Sequence, residues 1–274
     1  MSEEKDIKTI LKQTFDAVSN GYDGKALRFF SKSAEHMSSL LKLRGDERVL
    51  DVACGTGHAS LAIAPRLQKG GHITAVDLSP GMLDQARKKA ESLSIRNVEF
   101  IERDMQDLGF AESPFEIAVC AFGIFFVMDM ETQLAHIASM VRPGGRVMIC
   151  NFLDNYFQPM RDLLFNRITT YGVQDPPQAW KRIASEAGCR QLFETAGLTN
   201  INVEQKNVGY YLESADEWWD IVWNAGFRRL LARLSTQDQE RFRREHLNEI
   251  AALKTDKGIW LDVGVLYTVG TKIK

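Results

Sequence analysis

Val49-Leu50-Asp51-Val52-Ala53-Cys54-Gly55-Thr56-Gly57-His58-Ala59-Ser60 decides the fold. Its first half is a short apolar run with a β-branched residue at each end of 49–52, which reads as a buried strand. The run stops at Gly55-Thr56-Gly57. A segment with helical apolar spacing follows, through Leu61, Ile63, Ala64 and Leu67. Strand, glycine turn and helix make the first crossover of a doubly wound α/β sheet, and ligands of such sheets collect at the carboxyl ends of the strands. Glycine suits the turn because a side chain would hold a ligand off the backbone, and because the turn can require a positive φ.

A Gly-x-Gly pair is weak evidence alone, since a plain turn has the same sequence. The next strand strengthens it. His72-Ile73-Thr74-Ala75-Val76-Asp77 ends in a carboxylate 20 residues after Gly57. That spacing places an acid where it can accept both hydroxyls of an adenosine ribose. Asp77 could instead start the following helix, but Ser79-Pro80 already supplies an N-cap and a first-turn proline. An adenosine-bearing cofactor is the first expectation. A dinucleotide fingerprint would want a third small residue three positions after Gly57, and Ser60 fills it imperfectly.

Downstream segments narrow the cofactor. Asp51-Val52-Ala53-Cys54-Gly55-Thr56-Gly57 resembles the first motif of class I S-adenosylmethionine-dependent methyltransferases. Val76-Asp77-Leu78-Ser79-Pro80-Gly81-Met82-Leu83 resembles their second, and Phe100-Ile101-Glu102-Arg103-Asp104-Met105 their third. Val141-Arg142-Pro143-Gly144-Gly145-Arg146-Val147 resembles the turn entering their fifth strand. The closest likeness is to the small-molecule branch that includes ubiquinone and menaquinone C-methyltransferases. The resemblance implies an α/β fold, a doubly wound, mostly parallel, seven-stranded Rossmann-like sheet with helical cap insertions.

It also implies roles. Gly55 and Gly57, with Ala53 beside them, would let the methionine part of the cofactor approach the backbone. Asp51 would orient its amino group and Asp77 accept the ribose hydroxyls. Leu78 and Met82 would flank the adenine, Asp104 accept its amino group, and Met105 add a backbone contact. Ala121 and Phe122 would lie where the fourth strand opens onto the sulfonium. An aromatic face there, Tyr22 or Phe126, would stabilise a cation by about 0.5–2 kcal/mol. Packing in the core is the alternative for Tyr22, Phe125 and Phe126.

Composition fits this reading. With 274 residues, 45% hydrophobic and 26% charged, the chain matches one large globular domain or one domain with a cap. A formal net charge of -2 offers no basic field to nucleic acid. The N-terminus, Met1-Ser2-Glu3-Glu4-Lys5-Asp6, lacks an apolar signal core, and no run approaches the roughly 20 apolar residues of a membrane helix. A cytoplasmic location is expected, with no integral membrane segment. Cys54, Cys120, Cys150 and Cys189 form no Cys-x-x-Cys pair, so no metal site is expected.

The periodicities predict helices over about 5–19 and 24–42. Strands are predicted at 48–53, 72–77, 98–102, 115–121, 146–152, about 201–208 and 260–270, with helices 57–68, 80–92 and 184–196 between them. The predicted organisation is N-terminal cap helices over 1–44, a cofactor-binding core over 45–153, and a lid over 154–183 that holds Pro176-Pro177. The rest of the sheet lies in 184–274, interrupted by a helical insertion at 210–257.

Ala121-Phe122-Gly123-Ile124 is an apolar floor and lacks the Asn/Asp-Pro-Pro-aromatic signature of base-amino methyltransferases. It suits a phenol, an enolizable ring carbon or another small, partly hydrophobic acceptor, methylated on oxygen or carbon by in-line displacement. A nucleic-acid substrate is not expected. Such an acceptor would need its proton removed, and His58 and His36 are the candidate bases. The arginine-rich run from Arg228 to Arg244 reads as a solvated helix face, or else as a contact for an anionic partner. Two other functions are compatible with the residues: a nicotinamide-dependent oxidoreductase, and a non-catalytic cofactor-binding module. The sequence also admits a homodimer.

Overall fold

The computed structural model describes residues 2–110, 115–174 and 178–273. Pro176-Pro177 lies outside them. The strands are β1 Arg48–Val52, β2 His72–Asp77, β3 Val98–Glu102, β4 Phe115–Ala121, β5 Val141–Phe152, β6 Leu198–Asn207, β7 Tyr210–Leu212, β8 Ile259–Leu261 and β9 Gly264–Lys272. The helices are α1 Ser2–Val18, α2 Phe29–Leu40, α3 His58–Ile63, α4 Pro80–Ser92, α5 Met130–Ser139, α6 Met160–Thr170, α7 Glu186–Thr195, α8 Ala215–Asn224, α9 Arg228–Leu231 and α10 Thr236–Ala251.

Seven strands form one sheet in the order β3-β2-β1-β4-β5-β9-β6. β1 to β5 pair in parallel, and β9 runs antiparallel to β5. The order reverses direction between β1 and β4, where a doubly wound sheet opens its ligand crevice. β1 is central, and Val49 to Val52 are all buried, which is why its sequence is continuously apolar apart from Asp51. Ser79, Asp129 and Ser185 cap α4, α5 and α7 by accepting the amides of Met82, Thr132 and Gly188.

The chain divides into two compact units. One holds 30–154, 179–206 and 265–274, and so the seven-stranded sheet. Its core includes Leu50, Val52, Val76, Ala118, Ile137, Ile149, Phe193 and Leu266. The other gathers 1–29, 155–178 and 207–264. These are three of the stretches expected to build a cap, and they share a core of their own. Phe157 packs edge-on against Phe29 and Trp218, at ring distances of 5.3 and 5.8 Å. The expected 1–44 segment is divided between the units, α1 in one and nearly all of α2 in the other.

Four local expectations are corrected. The predicted helix 24–42 is a 3-10 turn at Lys25–Leu27 followed by α2. β5 begins at Val141 rather than 146; its ladder with β4 shifts between Phe115 and Ile117, which absorbs Arg142 to Gly145 as a bulge. The insertion at 210–257 is not purely helical, because it opens with β7. The predicted strand 260–270 is broken at Asp262-Val263, since the Asp262 carbonyl accepts from the Phe157 amide at 2.8 Å and that of Val263 from the Val208 amide at 2.9 Å. The part before the break, β8, pairs antiparallel with β7 instead.

Candidate active site

The glycine turn leaves the carboxyl end of β1 and enters α3. Gly55 and Gly57 both have positive φ, +55° and +83°, as a left-handed turn requires. They differ in surroundings. A Cβ on Gly57 would sit 3.1 Å from the Ala86 Cβ and 3.2 Å from the Phe100 ring, whereas one on Gly55 would meet no atom within 4 Å. Gly57 is therefore needed for helix–sheet packing, whereas Gly55 faces open space.

Asp77 ends β2 and ties the turn down. Its Oδ2 accepts from the Gly55 amide at 2.7 Å and its Oδ1 from the Ser79 amide at 2.9 Å. Asp104 follows β3, the strand paired with β2, and the Arg103 amide donates to the Asp77 carbonyl at 2.9 Å. Asp77 and Asp104 thus stand at one edge of the sheet. Oδ1 of Asp104 accepts from the Gln106 amide at 2.9 Å, and the Met105 carbonyl accepts from Gln133 Nε2 at 2.7 Å. Gln133 is nearly fully buried on α5. Sequence reading missed it, although a glutamine among the apolar positions of a helix was a visible signal. Leu78 is half-buried beside this edge. Met82 is 1% exposed, so of the two residues expected to flank adenine only Leu78 presents a face that solvent reaches.

Asp51 lies within β1, fully buried. Its Oδ2 accepts from both the amide and the hydroxyl of Ser60, at 3.0 and 2.6 Å. Its Oδ1 has no hydrogen-bond partner among the described residues. Burial pushes its carboxyl up to about 7 against the opposing effect of the Ser60 bonds, and the nearby Asp77 charge adds to the rise.

The ends of β1 and β4 are pressed together. Ala53 and Phe122 carry positive φ of 54° and 56°, and a Cβ on Gly123 would lie 2.7 Å from the Ala53 Cβ. Strained backbone of this kind concentrates at functional sites. Ala121 is half-buried at the end of β4. Phe122 packs on Phe152 at 4.5 Å and on Phe30 at 5.4 Å, and Phe30 stacks on His58 at 6.2 Å. The apolar floor expected after β4 is an aromatic wall drawn from α2, α3, β5 and the residue that follows β4. Phe30 and Phe152 were not singled out in the sequence, because neither lies near a motif. Phe126 packs against Phe125 at 4.9 Å.

Three further groups have contacts of their own. His36 is engaged at both ring nitrogens, Nε2 with Glu204 at 2.6 Å and Nδ1 with the Lys206 ammonium at 3.0 Å. That leaves no nitrogen for a substrate proton, so His36 is corrected to a structural role between α2 and β6. Tyr22 belongs to the other unit, where its ring packs edge-on against Phe15 at 6.4 Å; its part at a cofactor rests on the resemblance alone. In the arginine-rich run, Arg241 pairs with Glu245, Arg243 with Asp216, and Arg228 lies over the Trp223 ring.

Residues 49–145 match the methyltransferase domain family. With that match and the sheet order, this part of the chain is similar to the methyltransferase domains of the class I, S-adenosylmethionine-dependent kind. Among its relatives, aklanonic acid methyltransferase DauC of Streptomyces sp. (strain C5) is 28% identical over 145 residues, 53% of this chain and 66% of DauC. The demethylmenaquinone methyltransferase of Clavibacter sepedonicus is 33% identical over 143 residues, 50% of this chain and 56% of that enzyme. The chain therefore spans between half and two thirds of these relatives' lengths. Among solved structures, the YcgJ protein of Bacillus subtilis shares the fold at a TM-score of 0.60 and 20% identity, over 89% of this chain and 99% of YcgJ.

The site residues fit the cofactor of this class. Asp51 keeps an acceptor oxygen unused among the described residues, Gly55 faces open space, and Asp77 and Asp104 lie along the same edge.

Proposed function

We propose that the protein transfers a methyl group from S-adenosylmethionine to oxygen or carbon of a small, partly hydrophobic organic acceptor. The convergence of Asp51, Asp77, Asp104 and the Gly55 turn on one sheet edge, next to the aromatic wall of Phe30, Phe122 and Phe152, carries this reading. Two relatives are named for small organic acceptors, aklanonic acid and demethylmenaquinone, which supports an acceptor of this size.

When bound, the cofactor supplies a methyl on a positively charged sulfur, already an electrophile. The task of the chain is alignment and exclusion of water. Asp77 and Asp104 would hold the adenosine, Asp51 and the glycine turn the methionine part. The aromatic wall would hold an acceptor ring against its apolar faces. Orientation of this kind contributes on the order of 7–11 kcal/mol to well-aligned reactions. His58, half-buried at the first position of α3, is the residue we assign to remove an acceptor proton. We also propose a cytoplasmic protein, with a homodimer as the assembly to look for by sedimentation.

The test is transfer of labelled methyl from S-adenosylmethionine to a panel of phenols, hydroxyquinones and aromatic carboxylic acids. Label in an aromatic product, reduced at least about 100-fold by His58→Ala at neutral pH, is the expected result. Label in none of the panel sinks the acceptor assignment. The methyltransferase match also sets this reading above a nicotinamide-dependent oxidoreductase.

A further inference from the structure

Asp51 is a buried carboxylate with one oxygen saturated and the other without a partner. Both donors of Ser60 go to Oδ2, and Ser60 is itself fully buried at the first turn of α3. No Lys, Arg or His pairs with Asp51 among the described residues. The thiols of Cys54 and Cys120 lie around it, both pushed up by burial and so neutral, and Asp77 is the nearby charge, of like sign. A buried charge is normally paired and hydrogen-bonded at both oxygens. Here the missing partner is a cation or a strong donor, and none of the described residues supplies either.

Ser60 determines which oxygen is left over. Its amide is fixed by the start of α3, and its hydroxyl adds a second bond to the same oxygen. Rotation of the carboxylate that exchanged Oδ1 and Oδ2 would merely relabel them; rotation to any other angle would break both bonds. The plane of the carboxylate, and with it the direction in which the spare oxygen faces, is therefore held by one serine.

We propose that Ser60 is a positioning residue for the methionine end of the cofactor: by saturating one oxygen of Asp51 it reserves and aims the other for the α-ammonium, directly or through one water. The inference deepens the methyl-donor reading and rests on it. It explains why position 60 carries a hydroxyl where a dinucleotide-binding turn would have a glycine or alanine.

The test separates the two ends of the ligand. S-Adenosylhomocysteine has the ammonium, while 5′-methylthioadenosine keeps the adenosine and sulfur but lacks the amino-acid part. Calorimetric titration of the full chain should show Ser60→Ala weakening S-adenosylhomocysteine about tenfold and leaving 5′-methylthioadenosine unchanged. In an Asp51→Asn background the same substitution should cost little more, because the serine acts through the acid. Equal weakening of both ligands, no weakening of either, or full additivity with Asp51→Asn overturns the assignment. Failure of the unmodified protein to bind either ligand overturns instead the methyl-donor reading beneath it.

Discussion

Gly55 and Gly57 share a left-handed backbone and would be indistinguishable in a motif, yet they should respond oppositely to one methyl group. Gly57→Ala forces a Cβ against Ala86 and Phe100 in a strained conformation, so unfolding in urea should show a loss of about 1–3 kcal/mol. Gly55→Ala carries only the backbone penalty, about 1 kcal/mol, because no atom lies within 4 Å of the new carbon. Its larger effect should be on S-adenosylhomocysteine affinity, read by calorimetry. At the same scale Asp51 imposes a pH dependence. Its unfolded-state value is near 3.8 and its folded value about 7. Below the first the acid is neutral in both states. Between them the unfolded chain gives up the proton that the folded chain keeps, so stability declines as pH rises and is lower above 7 by on the order of 4 kcal/mol. Denaturation of the ligand-free protein at a series of pH values should show this decline, and Asp51→Asn should remove it.

The helical elements of the other unit hold a titrating group with the reverse sign. His246 on α10 is fully buried, and its Nε2 accepts from Trp218 Nε1 on α8 at 2.8 Å. The proton of the neutral ring therefore sits on Nδ1, toward Glu249 at 3.4 Å. Burial pushes His246 down to about 4, against the opposing effect of Glu249, while Arg167 lowers it further. The stability this gives is complete above 6.5 and is lost as pH falls through about 4, since the unfolded ring takes a proton the folded ring refuses. Tryptophan fluorescence should report loosening of this packing between pH 6 and 4, and His246→Phe should shift the change to lower pH. Arg167 of α6 links the same elements by pairing with both Glu245 and Glu249 of α10. Glu245 and Glu249 thus have partners on another helix as well as on their own, Arg241 and His246.

For the whole molecule the decisive property is which ligand stabilises the fold. A ligand that binds only the folded state adds about 2.7 kcal/mol at 100 times its Kd, a melting shift of roughly 4–8 °C for a chain near this size. S-Adenosylhomocysteine should produce it, and NADH should leave the transition where it was. The segments expected to build a cap also come together at this scale. The segments 1–29, 155–178 and 207–264 are far apart in the sequence but fold as one unit with one aromatic core. No helix among the described residues is long and apolar enough to cross a membrane.

Sequence alone determined the parts that depend on local chemistry. The strand limits of β2, β3 and β4 and of the α4 helix follow from apolar runs, glycines and the Ser79 cap. The two acids and the glycine turn were legible because their spacing is imposed by the crossover itself. Tertiary structure alone decided the rest. That Ser60 saturates one oxygen of Asp51, that Gln133 reaches the Met105 carbonyl, and that Phe30 and Phe152 meet Phe122 all depend on residues brought together from separate elements. His36 could be read as a base only while Glu204 and Lys206, some 170 positions later, were out of view. The strand predicted at 260–270 broke for the same reason: its carbonyls at Asp262 and Val263 found donors on loops that no local pattern could reveal.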